Sequence, residues 1–101
     1  MIRFTLTEED RAVLDAPEVL EYDPSRPKLK ELRELERQCG VTYDALGDGL
    51  SSGDMLSLAR VVWMALLRAG VTVRWEDLDL DLLGITYEVD EESPKAQKPK
   101  K

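Results

Sequence analysis

DMLSLARVVWMALLRA, residues 54–69, decides how this chain folds. From Met55 to Leu67 only Ser57 and Arg60 interrupt the apolar residues, and Arg68 follows. A helix that is apolar on nearly every side must be surrounded by protein or by lipid. Lipid is disfavoured, because the run is too short to span a bilayer and Arg60 lies inside it. The helix is therefore either the central core helix of a small bundle or a helix shared with a partner chain. Both hold if one face is core and another is interface.

Working outward from this helix, Gly70 is its natural stop, and Ser52 or Asp54 its natural cap. The preceding GDGLSSG, Gly47 to Gly53, reads as a flexible connection, since Gly and Ser clusters punctuate structure. Val41 to Leu46 reads as a single helical turn. Residues 28–39, KLKELRELERQC, form an amphipathic helix. Leu29, Leu32, Leu35 and Cys39 make one apolar stripe, Lys30–Glu34 is an i,i+4 pair, and Gly40 is a left-handed stop. The matching stripes predict that this helix packs on the apolar one, with Leu32, Leu35, Val62, Trp63 and Leu66 in the core.

At the start of the chain, Ile2, Phe4 and Leu6 alternate with Arg3 and Thr5, the signature of a half-buried strand. Thr7 can cap a brief helix whose first turn holds Glu8, Glu9 and Asp10, and Pro17 ends it. Val19-Leu20-Glu21-Tyr22 reads as a second strand paired with the first. Beyond Gly70, Trp75-Glu76-Asp77 suggests a short helix that packs Trp75 and Leu78 back on the core. Asp79 to Leu83 is ambiguous between turn and strand, and Ile85 to Val89 reads as a closing strand. Residues 90–101, DEESPKAQKPKK, lack apolar content and are expected to be disordered. The fold class is mainly α (α+β): a small helical domain at 1–89 with a long central apolar helix, a short N-terminal β-hairpin and a charged C-terminal tail at 90–101.

Composition narrows function. The 101 residues carry a net charge of −7. The last twelve hold three acids and four lysines, which leaves residues 1–89 at −8. An acidic body argues against nucleic acid, whose phosphates demand positive charge. There is no histidine and one cysteine, Cys39, so the usual zinc and haem ligand sets are missing and no internal disulfide forms. A lone cysteine suits a reducing compartment. Met1-Ile2-Arg3-Phe4 leads straight into charged residues, so no signal peptide is expected, and neither is a membrane span.

No reactive constellation stands out. GDGLSSG lacks the Lys-Ser/Thr ending of a phosphate loop, and Asp48 and Asp54 would repel phosphate. Asp44, Asp48 and Asp54 miss the calcium-loop spacing. Asp77, Asp79 and Asp81 alternate with Leu78, Leu80 and Leu82, so an extended chain would separate acids from leucines. That pattern reads first as a solvated acidic edge, next as a dock for a basic partner, and least as a metal site. Cys39 has no histidine to activate it and reads as core. Trp63 and Trp75 read as core anchors, or as interface residues if exposed. No enzyme is expected, and no cofactor or metal.

The order of elements adds a resemblance. Glu21-Tyr22-Asp23 leads into LKELRELERQCG, Leu29 to Gly40. A short turn from Tyr43 to Leu46, the long apolar helix and Trp75-Glu76-Asp77-Leu78-Asp79-Leu80 follow. The pattern resembles the tail assembly chaperones of long-tailed bacteriophages. In that family a helix reading like LRELERxxG precedes one reading like ALLWAALRRAG. The matching residues here are Leu32 to Gly40 and Met55 to Gly70, and the resemblance covers roughly residues 20–83. The Thr7–Ala16 helix departs from the shorter lead-in of the family.

The resemblance implies a non-enzymatic chaperone of viral tail morphogenesis, made in the host cytoplasm and absent from the mature virion. It would bind the tape measure protein, keep it soluble and help recruit tail tube subunits. A longer form made by frameshifting near the C-terminal end is also implied. Three physical features agree: surplus apolar helix surface for self-association or for holding an amphipathic helix, an acidic exterior, and a tail to which a domain can be appended. A homo-oligomer is expected, with Met55, Leu58, Val62 and Trp63 as partner-binding contacts, and neither nucleic acid nor membrane as a partner. The alternative is a small acidic inhibitor or DNA mimic that covers a basic protein surface. A third reading is a plain oligomerisation domain.

Overall fold

The computed structural model describes residues 1–89; the tail expected at 90–101 lies outside the described residues. The fold is α+β, a small antiparallel sheet laid against helices. Strand β1 (Ile2–Thr5) is central, β2 (Val19–Tyr22) flanks it on one side and β3 (Thr86–Val89) on the other. Both pairings are antiparallel, and Phe4 faces Leu20 in one and Tyr87 in the other. The first two strands pair as expected, though a helix and not a tight turn joins them, and the closing strand pairs on the other side of β1. Period-two alternation explains why: Phe4, Leu6, Leu20 and Tyr22 are buried, while Val19 and Glu21 face out.

Between β1 and β2 runs α1 (Glu8–Leu14). Thr7 Oγ1 accepts the Asp10 amide at 3.1 Å, satisfying one of the open donors of the first turn. The helix ends at Asp15, in the left-handed region at φ 55°, two residues before Pro17.

The 28–39 helix has two parts. An α-helical stretch, α2 (Leu29–Glu34), runs on into a π-helical turn, Leu35–Cys39. Gly40, at φ 72°, then stops it in a conformation that costs glycine little. Leu35 is fully buried, and Leu32 and Cys39 are half-buried. Leu29 departs from the expected stripe and is 65% exposed. The reason is position: Glu31 already meets Arg68, the last residue of the central helix, so Leu29 lies beyond the end of the helix it was expected to cover.

GDGLSSG is not a loop. Residues Tyr43–Ser52 form one helix, α3, which corrects both the single turn and the flexible connection expected there. Thr42 Oγ1 caps it through the Ala45 amide at 3.1 Å, and the chain turns at Gly53. Leu46 is buried and Leu50 half-buried, so the helix has an apolar face that outweighs the low propensity of Gly47 and Gly49. Gly49 has a packing role. A Cβ there would lie 1.9 Å from Ser57 Oγ and 2.9 Å from Ser57 Cβ. The missing side chain lets α3 press against the start of the next helix.

That helix, α4 (Met55–Arg68), is the core helix. Asp54 caps it, accepting the Leu56 amide at 3.3 Å and the Ser57 hydroxyl at 2.8 Å. Ala59 and every residue from Val61 to Leu66 are buried. The sheet, through β2, covers one side, α3 another, and α2 with its π turn a third. The chain after Gly70 covers the rest. Trp63 Nε1 donates to the Val73 carbonyl at 2.8 Å, and the Trp75 ring stands edge-on to Trp63 at 6.0 Å. A 3₁₀ turn, Trp75–Asp77, an extended stretch and a second 3₁₀ turn, Leu82–Gly84, lead into β3. No helix among the described residues is long and apolar enough to cross a membrane.

Candidate docking surface

Four residues of α4 were expected to meet a partner, and the structure divides them. Met55 is exposed and Leu58 is half-buried. Val62 and Trp63 are completely buried. The correction has a simple cause. Positions i, i+3 and i+7 share a helix face, so Met55, Leu58 and Val62 follow one line. That line starts in solvent and runs under neighbouring elements within two turns. Trp63 is locked inward by its hydrogen bond to Val73. Surplus apolar surface therefore exists at the N-terminal end of α4 and not along its length.

Leu56 is the more exposed of the two exposed apolar residues there, at 54% against 42% for Met55. It borders a notch of about 180 Å³ whose other walls are Ala59, Trp75, Leu78, Leu80 and Leu82, with Asp79 at the edge. Leu83, almost fully exposed, follows this wall in sequence. The notch arises because residues 78–81 are extended: Leu78 and Leu80 lean on the core while Asp77, Asp79 and Asp81 stay exposed. Asp10 Oδ2 accepts the Asp81 amide at 2.9 Å, which ties this stretch to α1. The alternation of acids and leucines was legible in the sequence; the contribution of Leu56 was not, because a helix apolar all round does not reveal which side stays uncovered.

The floor of the notch is braced from behind. Gln38, on the π turn, accepts the Trp75 amide at 2.8 Å and donates to Glu34. The wider turn carries one extra residue per hydrogen-bonded ring and so shifts the phase of the helix at the point where Gln38 reaches across. The Arg60 guanidinium sits 5.7 Å from the centre of the Trp75 ring, within cation–π range. Cys39 lies near Arg60. Burial pushes its thiol up, and Arg60 opposes that only in part. The thiolate is correspondingly scarce at neutral pH.

Charge around the surface is negative and fixed. Asp77 pairs with Arg74 at 3.0 Å, and the hydroxyl of Ser57 holds the Asp54 carboxyl below the ordinary carboxylate range. An apolar notch with the Asp79 carboxylate at its edge can take an apolar side chain from a segment that also carries cations. Among the described residues, no group of three or more His, Cys, Asp or Glu is placed to hold a metal ion. The chain matches no protein-family model, no curated protein sequence and no solved structure.

Proposed function

We propose that this chain is a non-enzymatic tail assembly chaperone of a long-tailed bacteriophage. In this reading it binds amphipathic helices of the tape measure protein, keeps them soluble in the host cytoplasm, helps recruit tail tube subunits and is left out of the mature virion. It acts as a homo-oligomer. The resemblance rests on Leu32 to Gly40 and Met55 to Gly70.

The observation that carries the reading is the exposure of Leu56 beside the notch formed by Ala59, Trp75, Leu78, Leu80 and Leu82. Helix-in-groove recognition needs a small apolar socket for anchor residues and charge around it to orient the helix. Asp79 at the edge of the notch and Asp81 nearby supply the charge, and they select a helix with lysine or arginine beside its apolar stripe. Met55 and Leu58 extend the contact, whereas Val62 and Trp63 act by holding the surface in shape.

Co-expression with the tape measure protein of the same phage tests the reading. The chaperone reading expects the tape measure protein in the soluble fraction and co-purifying with this chain. A tape measure protein that stays insoluble, beside a strictly monomeric chain, would remove the basis of the proposal.

A further inference from the structure

A second groove, of about 660 Å³, lies between α2 with its π turn and the stretch 72–74, and its charge is opposite to that of the notch. Leu67 and Val73 give it an apolar floor. Lys28, Lys30, Arg37, Arg68 and Arg74 line it, against only two carboxylates, Glu31 and Glu34. In a body of net charge −8 this concentration of cations is out of keeping with its surroundings.

The two carboxylates are already engaged. Glu31 holds Arg68 through hydrogen bonds of 2.7 and 2.8 Å, and Glu34 pairs with Arg37. Arg74 turns toward Asp77 and Glu76. Lys28 and Lys30 are exposed, and among the described residues neither comes within ion-pair distance of a carboxylate. Glu31 feels the charge of Lys28 and Glu34 that of Lys30, but each carboxylate holds an arginine in direct contact, so both ammonium groups stay open to a further partner beside the apolar floor. The volume falls within the usual range for binding clefts.

We infer that this groove docks an acidic, leucine-bearing segment of a partner protein, its apolar side chains on Leu67 and Val73 and its carboxylates on Lys28 and Lys30. Charge complementarity chooses this occupant. A basic segment would be repelled by the same two lysines, and a bare anion would leave the apolar floor in water. The molecule then offers two surfaces of opposite selectivity, an acid-edged notch at Leu56 and a lysine-edged groove at Leu67, so that one copy can bridge two partners of opposite charge. This inference does not depend on the chaperone reading.

Fluorescence anisotropy with the full chain tests it. The probe is a short fluorescein-labelled peptide alternating glutamate and leucine; the controls are its lysine–leucine counterpart, a glutamate–serine peptide and inorganic phosphate. The acidic leucine peptide should bind and weaken as salt rises. Lys28→Gln/Lys30→Gln should weaken it by about tenfold or more while leaving the circular dichroism and urea midpoint unchanged. Leu56→Asp should leave it unaffected, which separates this site from the notch. Equal binding of the glutamate–serine peptide, displacement by phosphate at matched concentration, or indifference to the lysine double variant would each overturn the inference. Self-association abolished by the double variant, with no peptide bound, would assign the groove to a second copy and overturn it too.

Discussion

Arg68 grips both carboxylate oxygens of Glu31, at 2.7 and 2.8 Å, and so joins the end of α4 to the start of α2 across 37 residues of chain. The Glu31 side chain is 9% exposed and that of Arg68 24%. The contact does not stand alone: Glu31 also accepts the Lys28 amide at 3.1 Å, and the Arg68 guanidinium lies 4.5 Å from the centre of the Tyr22 ring. A hydrogen-bonded charge pair of this kind is worth most when its geometry is bidentate and water is partly excluded.

Glu31→Ala should therefore destabilise the fold by about 2–3 kcal/mol, the range for losing hydrogen bonds to a charged group and leaving its partner uncompensated. Glu31→Ala/Arg68→Met should recover part of that loss, because no unpaired guanidinium remains. Urea melts of the four proteins of the double-mutant cycle give the answer. Strict additivity would mean that the pair does not couple the helices.

The same contact sets a pH dependence. Burial alone would raise the Glu31 carboxyl, but the hydrogen bonds from Arg68 and Lys28 outweigh it and hold the group below its ordinary value of 4.5. A depressed carboxylate stabilises the fold fully above its unfolded pKa, and that stability is lost as pH falls through the folded pKa. Glu34 and Asp54 shift in the same direction and add to the acid limb. Wild type should lose more stability than Glu31→Gln between neutrality and the region below pH 4.5. Parallel stability–pH curves would contradict the assignment.

The two helical glycines of α3 should respond oppositely to alanine. Gly47 has open space where a Cβ would go, so Gly47→Ala should stabilise by about 0.5–1 kcal/mol through helix propensity. At Gly49 the same change drives a methyl into Ser57 and should cost about 1–3 kcal/mol. Thermal melts of both variants distinguish this from a flexible linker, in which the two substitutions would behave alike.

Leu35, fully buried on the π turn, should cost about 2–5 kcal/mol when truncated to alanine. Cys39, with its raised and half-buried thiol, should be alkylated slowly in the native protein and rapidly in urea. Native alkylation as fast as that of a free thiol would show that the π turn opens readily.

The elements that the sequence announces clearly are those with local signals. Thr7 and Asp54 cap where their side chains predict, Gly40 ends its helix, and the alternation of β1 and β2 places Phe4, Leu20 and Tyr22 inside. What failed was non-local. Gly49 looks like a loop glycine until Ser57 is brought against it, and nothing in the composition of GDGLSSG records that contact. The π turn leaves no residue signature; it shows only where Gln38 meets the distant Trp75 amide. Val62 and Trp63 read both as core and as interface, and only the core reading holds. Their burial depends on elements from both ends of the chain closing around α4, and a helix apolar all round cannot say how many neighbours it has.

On the proposed function, the exposed start of α4, and not its buried middle, would hold the tape measure helix. The most direct measurement is co-purification of the tape measure protein with Leu56→Asp, beside wild type and beside Val62→Ala. Leu56 is exposed, so the aspartate should leave folding intact while lowering captured tape measure protein by about tenfold or more, as a charge in an anchoring socket does. Val62→Ala should lower thermal stability yet leave capture by the folded fraction unchanged. Undiminished capture by a folded Leu56→Asp protein would contradict the account.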